Sequence, residues 1–171
     1  VEVSPVDVTS VSGSYNGAMD ENGDFCNIIL TLNTVEDGYP STSIDFNIPY
    51  IEYTDDIDLS GTYSTIDTPY TSKGINKGAS EASDMGTLPY YTYITLSMDF
   101  VMVPDFQVIS EYFIADGEST MTLTKNADGT YDITASLKNA AGESYDYDIK
   151  GMAIELSDWS SMDDEDYGED W

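Results

Sequence analysis

The chain has 171 residues, 33 of them acidic and only five basic, for a formal charge of −28. A field of that sign repels polyanions and has no cations with which to displace their counterions, which excludes nucleic acid and disfavours anionic lipid surfaces. There is no histidine, and all five basic residues are lysine. Ser-His-Asp and Cys-His catalysis, imidazole zinc sites and arginine phosphate clamps are therefore excluded.

What remains is enough to fold. Hydrophobic residues make up 40% of the chain and aromatics 12%, including 14 tyrosines, too much apolar content for a disordered polymer. The length suits a single domain that buries a core without disulfide or metal staples. No stretch approaches the roughly 18 apolar residues of a membrane-spanning helix. The expected division is one all-β domain over residues 1–160 and an acidic tail over 161–171, where Asp163 to Trp171 holds six acids.

In chain order, the apolar run Phe25-Cys26-Asn27-Ile28-Ile29-Leu30 places Cys26, the single cysteine, as a buried small hydrophobe. Period-two alternation marks strands at Ile28, Leu30 and Leu32, at Ile44, Phe46 and Ile48, around Leu59 to Tyr63, at Ile94, Leu96, Met98 and Phe100, and near Val108 to Ile114. Residues 64–91 are rich in Ser, Thr, Gly, Pro and Asp and read as a long irregular loop, the kind of segment that carries binding residues.

The C-terminal side is the clearest. Met121 and Leu123, then Tyr131, Ile133, Ala135 and Leu137, alternate with polar residues across the turn Asn126-Ala127-Asp128-Gly129. A second turn, Asn139-Ala140-Ala141-Gly142, leads into Tyr145, Tyr147 and Ile149, making a three-stranded meander. After Gly151 the apolar parity shifts to Met152, Ile154 and Leu156, which predicts a glycine bulge and a strand that bends or changes sheet. Almost no segment has helical period. The expected fold class is all-β, an antiparallel β-sandwich or flattened β-barrel ending in a meander.

Three groups of residues, Gly13-Ser14-Tyr15-Asn16-Gly17, Leu59-Ser60-Gly61-Thr62-Tyr63, and Asp128 to Thr134 with Ala141-Gly142 and Lys150-Gly151, resemble a family of secreted, all-β surface lipoproteins of Bacteroidetes. That resemblance implies export to the outer-membrane surface or periplasm and a lipid anchor upstream of Val1. It carries over no catalytic residues.

Two uses of the side chains stand out. Tyr70, Tyr90, Tyr91 and Tyr93 form a candidate glycan platform, because sugar rings stack on aromatic faces while nearby acids and amides accept hydroxyl hydrogen bonds; Trp159 stands apart. Tyrosine also fills half-buried strand positions for reasons of β-propensity alone. The clusters Asp20, Asn22, Asp24 and Asp55, Asp56, Asp58 offer the oxygen ligands that calcium prefers, although neither has the EF-hand spacing and both serve equally as turn acids. No cofactor is required; calcium is the one ion considered. The functional expectation is a non-catalytic cell-surface or periplasmic adhesion module that binds a glycan or a surface protein. The alternatives are a carboxylate-dependent glycan-active enzyme, with two acids about 5–10 Å apart, and a structural subunit of a surface assembly.

Overall fold

A computed structural model describes residues 2–3, 8–18, 23–33, 41–54, 56–83, 86–102 and 107–159. Among them there is no helix. The strands are β1 (Glu2–Val3), β2 (Ser10–Ala18), β3 (Phe25–Asn33), β4 (Ser41–Pro49), β5 (Gly61–Ile66), β6 (Gly74–Asn76) and β7 (Ala79–Ser83), followed by β8 (Gly86–Tyr90), β9 (Tyr93–Val101), β10 (Gln107–Ile114), β11 (Thr120–Lys125), β12 (Tyr131–Lys138), β13 (Ser144–Met152) and β14 (Ile154–Asp158).

Twelve of them form one sheet in the order β1-β13-β12-β11-β5-β6-β4-β3-β2-β14, with β9 on β4 and β10 on β9; β7 and β8 pair as a separate hairpin. The sheet nearly closes. On one side the parallel contact of β5 with β6 joins its halves through Thr65↔Ile75 and Ile66↔Asn76. On the other, Ala153 alone separates β13 from β14, strands that lie near opposite ends of the order. The two halves face one another: the hydroxyls of Thr42 on β4 and Tyr147 on β13 meet at 2.5 Å inside the core, although four strands separate β4 from β13 along the sheet. Phe113 of β10 likewise meets Tyr145 of β13 edge to face at 4.8 Å. This is the sandwich or flattened barrel expected from the pattern.

The alternating residues fill the space between the halves. Cys26, Ile28, Leu30 and Leu32 of β3, Ile44, Phe46 and Ile48 of β4, Met121 and Leu123 of β11, and Ile133 and Leu137 of β12 are all buried. Each such side chain contributes on the order of 1.5–3 kcal/mol through removal from water. Cys26 is free and buried, as its apolar run indicates.

The meander forms as the turn residues require. Asn126 N–H donates to the Thr130 carbonyl at 2.7 Å, and Gly129 takes φ +90°, a left-handed value that a side chain resists. The bulge at Gly151 is present: Ile133 opposes Ile149 but Tyr131 opposes Met152, so Lys150 and Gly151 share one partner position, and the Gly151 N–H bonds Asp132. Beyond it the chain leaves β12 and, as β14, pairs in parallel with β2.

Residues 64–91 differ from expectation. Instead of one irregular loop they hold the end of β5, the short core strand β6 and the β7–β8 hairpin. Short polar side chains make this segment look like loop, but β6 still sends Ile75 into the core, and the hairpin keeps most of its described side chains in water.

Candidate functional site

Part of the outer face of β3, β4 and β6 is shielded from solvent. Asn27 lies between Cys26 and Ile28, Asp45 between Ile44 and Phe46, and Asn76 beside Ile75, so strand parity turns all three away from the core. Asn47, which pairs with Asn27, shares that face. All four are nonetheless buried, Asp45 with 4% exposure, and Tyr70, Ser72 and Thr92 bond onto them from other parts of the chain. A bulge between β2 and β3 at Asn16, with Gly17 at φ +80°, feeds a further amide into the row.

The result is a continuous amide–carboxylate ladder. Asn16 Nδ2 donates to Asn27 Oδ1 at 2.9 Å, and Asn27 Nδ2 donates to Asp45 Oδ1 at 2.5 Å. Asn76 Nδ2 donates to the same Asp45 oxygen at 2.8 Å, and Asn47 Nδ2 donates to Asn76 Oδ1 at 2.9 Å and to the Ser72 carbonyl at 3.0 Å. The ladder ends on the covering loop, where the Tyr70 N–H donates to Asn76 Oδ1 at 3.0 Å and the Tyr70 hydroxyl reaches Asp45 Oδ2 at 3.5 Å.

Thr92 explains how the sheet divides here. The same edge of β4 pairs with β9 through Ser41 to Ser43 and with β6 through Phe46 and Asn47, so the backbone of Asp45 falls in the gap between two neighbours. The Thr92 hydroxyl fills it, accepting from the Asp45 N–H at 3.1 Å and donating to the Asn76 carbonyl at 2.9 Å. Gly78 completes the junction: its N–H bonds the Ala115 carbonyl, and a Cβ there would sit 2.2 Å from the Thr92 carbonyl oxygen.

Neither ion pair among the described residues involves Asp45. Burial lifts its carboxyl above the ordinary carboxylate value, and the hydrogen bonds from Asn76, Asn27 and Tyr70 offset only part of that. The same charge acts on its neighbours. Burial, then the Asp45 carboxylate, pushes the Tyr70 phenol up to about 12; Tyr93 is raised by burial first, then by Tyr112 and Asp45.

Tyr70 and Tyr91 are the two non-glycine residues at positive φ among the described residues, at +65° and +64°. Their rings meet edge to face at 5.8 Å, and Tyr91 in turn lies 6.4 Å from Tyr90. Tyr90, 39% exposed, donates to Glu81 Oε2 at 3.0 Å, which raises its phenol. Three of the four tyrosines expected to form a platform therefore make one strip, Tyr70-Tyr91-Tyr90. Tyr93 joins Tyr112 instead, at 6.2 Å. Trp159 stands elsewhere, its N–H on the Tyr15 carbonyl.

Comparison with known proteins returns nothing. No family model, curated protein or solved structure matches the chain.

The acid clusters fare differently from the tyrosines. Asp20, Asn22 and Asp55 lie outside the described residues. Asp24 is exposed, and its carbonyl accepts from Tyr50. Asp58 accepts from the Ser60 N–H at 2.9 Å, and the Ser60 hydroxyl, then that N–H, lower its carboxyl, while the Lys125 ammonium donates to the carbonyls of Asp56 at 2.8 Å and Ile57 at 3.3 Å. Among the described residues no three His, Cys, Asp or Glu side chains converge as metal ligands.

Sequence reasoning did not find Asp45, Asn27, Asn47, Asn76 or Thr92. A signal was present: asparagine and aspartate are depleted in strands, yet four of them sit on the polar parity of three strands that become neighbours.

Proposed function

We propose that this chain is a non-catalytic binding module that uses the Tyr70-Tyr91-Tyr90 strip to hold a glycan. One observation carries the reading: two tyrosines adopt left-handed backbone side by side, over a buried carboxylate that no lysine neutralises. Such conformations cost of order 1–3 kcal/mol each and persist where the surroundings over-determine them, which makes them markers of sites. The amide ladder supplies that over-determination, holding the Tyr70 backbone from below. Aromatic faces held in one arrangement offer contact area at low entropic cost, the property that sugar stacking needs. Asp45, lifted by burial, lies beneath Tyr70 at 4% exposure and is placed to orient the strip rather than to transfer protons to a ligand.

The extracytoplasmic, lipid-anchored setting rests on the resemblance of the Gly13–Gly17, Leu59–Tyr63 and Asp128–Thr134 segments and on the acidic charge, and belongs to the same proposal. A glycan array followed by calorimetry with and without calcium tests it. The expected outcome is binding of a neutral glycan that Tyr90→Ala and Tyr91→Ala each weaken at least tenfold while Tyr90→Ala leaves the melting temperature unchanged. An array with no signal, or turnover of aryl glycosides by the purified chain, overturns the reading.

A further inference from the structure

A concave surface whose lining shares no residue with the tyrosine strip lies on another element. Beside the edge strand β10, a groove of about 510 Å³ runs between Tyr112 and Phe113 on one side and the β12–β13 turn with Tyr145 on the other. Its volume is in the range of small-ligand sites. Two carboxylates are fixed on that turn from opposite ends. Asp116 Oδ1 accepts from the Ala140 N–H at 2.7 Å, and Glu143 Oε1 accepts from the Asn139 side-chain amide at 2.9 Å. Both line the groove, Asp116 half-buried and Glu143 exposed, and each is held by its hydrogen bond to the turn.

The lining sets the chemistry of the occupant. Every charged side chain among the described lining residues is acidic, which rejects phosphate, sulfate and carboxylate ligands. Tyr112, Phe113 and Tyr145 bring aromatic rings to the same groove, and ring faces together with carboxylates recognise ammonium groups by combined cation–π and ionic attraction. The Tyr145 phenol, raised first by its burial, feels the negative charges of Glu143 and Glu111 as well. With −28 charges on the chain, the long-range field draws cations toward this face rather than away from it.

We propose that the groove beside β10 is a binding site for an organic cation bearing primary ammonium groups, held by Asp116 and Glu143 against the rings of Tyr112 and Tyr145. This site is independent of the tyrosine strip and stands or falls without it.

Calorimetry with spermidine at 150 mM NaCl tests the site. One cation binds per chain. Glu143→Gln and Asp116→Asn each weaken binding about threefold to tenfold, while keeping the acceptor oxygens that hold the turn. Tyr112→Leu, which leaves the charge untouched, weakens it about threefold. Glu155→Gln, a charge-matched change on the exposed face of β14, leaves affinity unaltered. Should Glu155→Gln weaken binding as much as Glu143→Gln, with several cations bound per chain, the effect is diffuse condensation and the site does not exist; absence of heat at 150 mM NaCl refutes it equally. Trilysine run in parallel identifies the source: tighter peptide binding assigns the groove to lysine side chains of a partner chain, tighter spermidine to a free polyamine. Loss of glycan binding in Tyr90→Ala leaves all these values unchanged, so failure of one proposal is visible apart from the other.

Discussion

The β11–β13 meander and the β3-β4-β6 region carry the same sequence signature and end in opposite environments. In both, apolar and polar residues alternate with period two. On the meander, Thr134 and Lys138 of β12 face water, and the turns are closed by local hydrogen bonds within four or five residues. In the β3-β4-β6 region the corresponding polar residues, Asn27, Asp45, Asn47 and Asn76, are sealed under a loop and bonded to one another across 18 to 31 positions of sequence. A polar face is thus not the same thing as a wet face. What decides is whether another part of the chain comes to cover it, and whether the covered groups can then pair among themselves.

That contrast can be broken most severely at glycine. At Gly78 an added methyl meets backbone from Thr92 and Ala115, which cannot swing aside, so Gly78→Ala should cost about 3 kcal/mol or more in urea unfolding. At Gly129 the same change meets nothing within 4 Å, and the strain of φ +90° is the only penalty. Gly129→Ala should cost about 1 kcal/mol. Equal costs at the two positions would show that the β6–β7 junction is not held as tightly as its contacts imply.

Next in size is the ladder. Asn76→Ala strands the Tyr70 N–H and removes a donor from Asp45, and buried unsatisfied groups cost about 1–3 kcal/mol each, so a loss of about 3 kcal/mol is expected. Thr134→Ala, on the wet face of β12, should change stability by less than about 0.5 kcal/mol. A ladder variant as mild as the surface variant would mean that water replaces the amide, and that the covering loop is open in solution.

The Asp45 carboxylate sharpens the comparison through pH. Burial raises its folded value above the ordinary 3.8, so between those two values the folded chain binds a proton that the unfolded chain has released. Stability contributed by this group therefore falls as pH rises through that window and stays at its lower level above it. Asp45→Asn, which retains an oxygen to accept from Asn27 and Asn76, removes the penalty. The melting temperature of the variant should exceed that of the wild type at pH 7–8, with the gap closing as pH falls toward 4. Asp132 works in the opposite sense: its carboxyl is lowered by the Gly151 N–H and by Asn126, so its contribution is present at neutral pH and lost on acidification. An Asp45→Asn variant less stable than wild type at neutral pH would show that the hydrogen bonds from Asn76, Asn27 and Tyr70 to the ionised carboxylate outweigh the cost of burying it.

Much of the fold was legible because its causes are local. The Asn126–Gly129 and Asn139–Gly142 turns, the parity switch at Gly151 and the alternation of β3, β4, β9 and β10 each depend on neighbours within a few residues, and each appears where the pattern placed it. The strip was half legible: composition singled out Tyr70, Tyr90, Tyr91 and Tyr93, but only chain geometry separates Tyr93 from the other three. The β6 strand was hidden, since Gly74-Ile75-Asn76 is too short for any periodicity and forms because β4 and β5 offer it edges.

From its residues alone this chain had to be an acidic, all-β domain without imidazole or guanidinium chemistry, because charge, residue inventory and side-chain period are properties of the polymer itself. Tertiary structure alone decided that β4 would change partners at Asp45, that Thr92 would fill the gap, and that three amides and a carboxylate would be buried beneath two strained tyrosines. Those outcomes depend on which distant segments meet, and burial is a property of that meeting rather than of any residue.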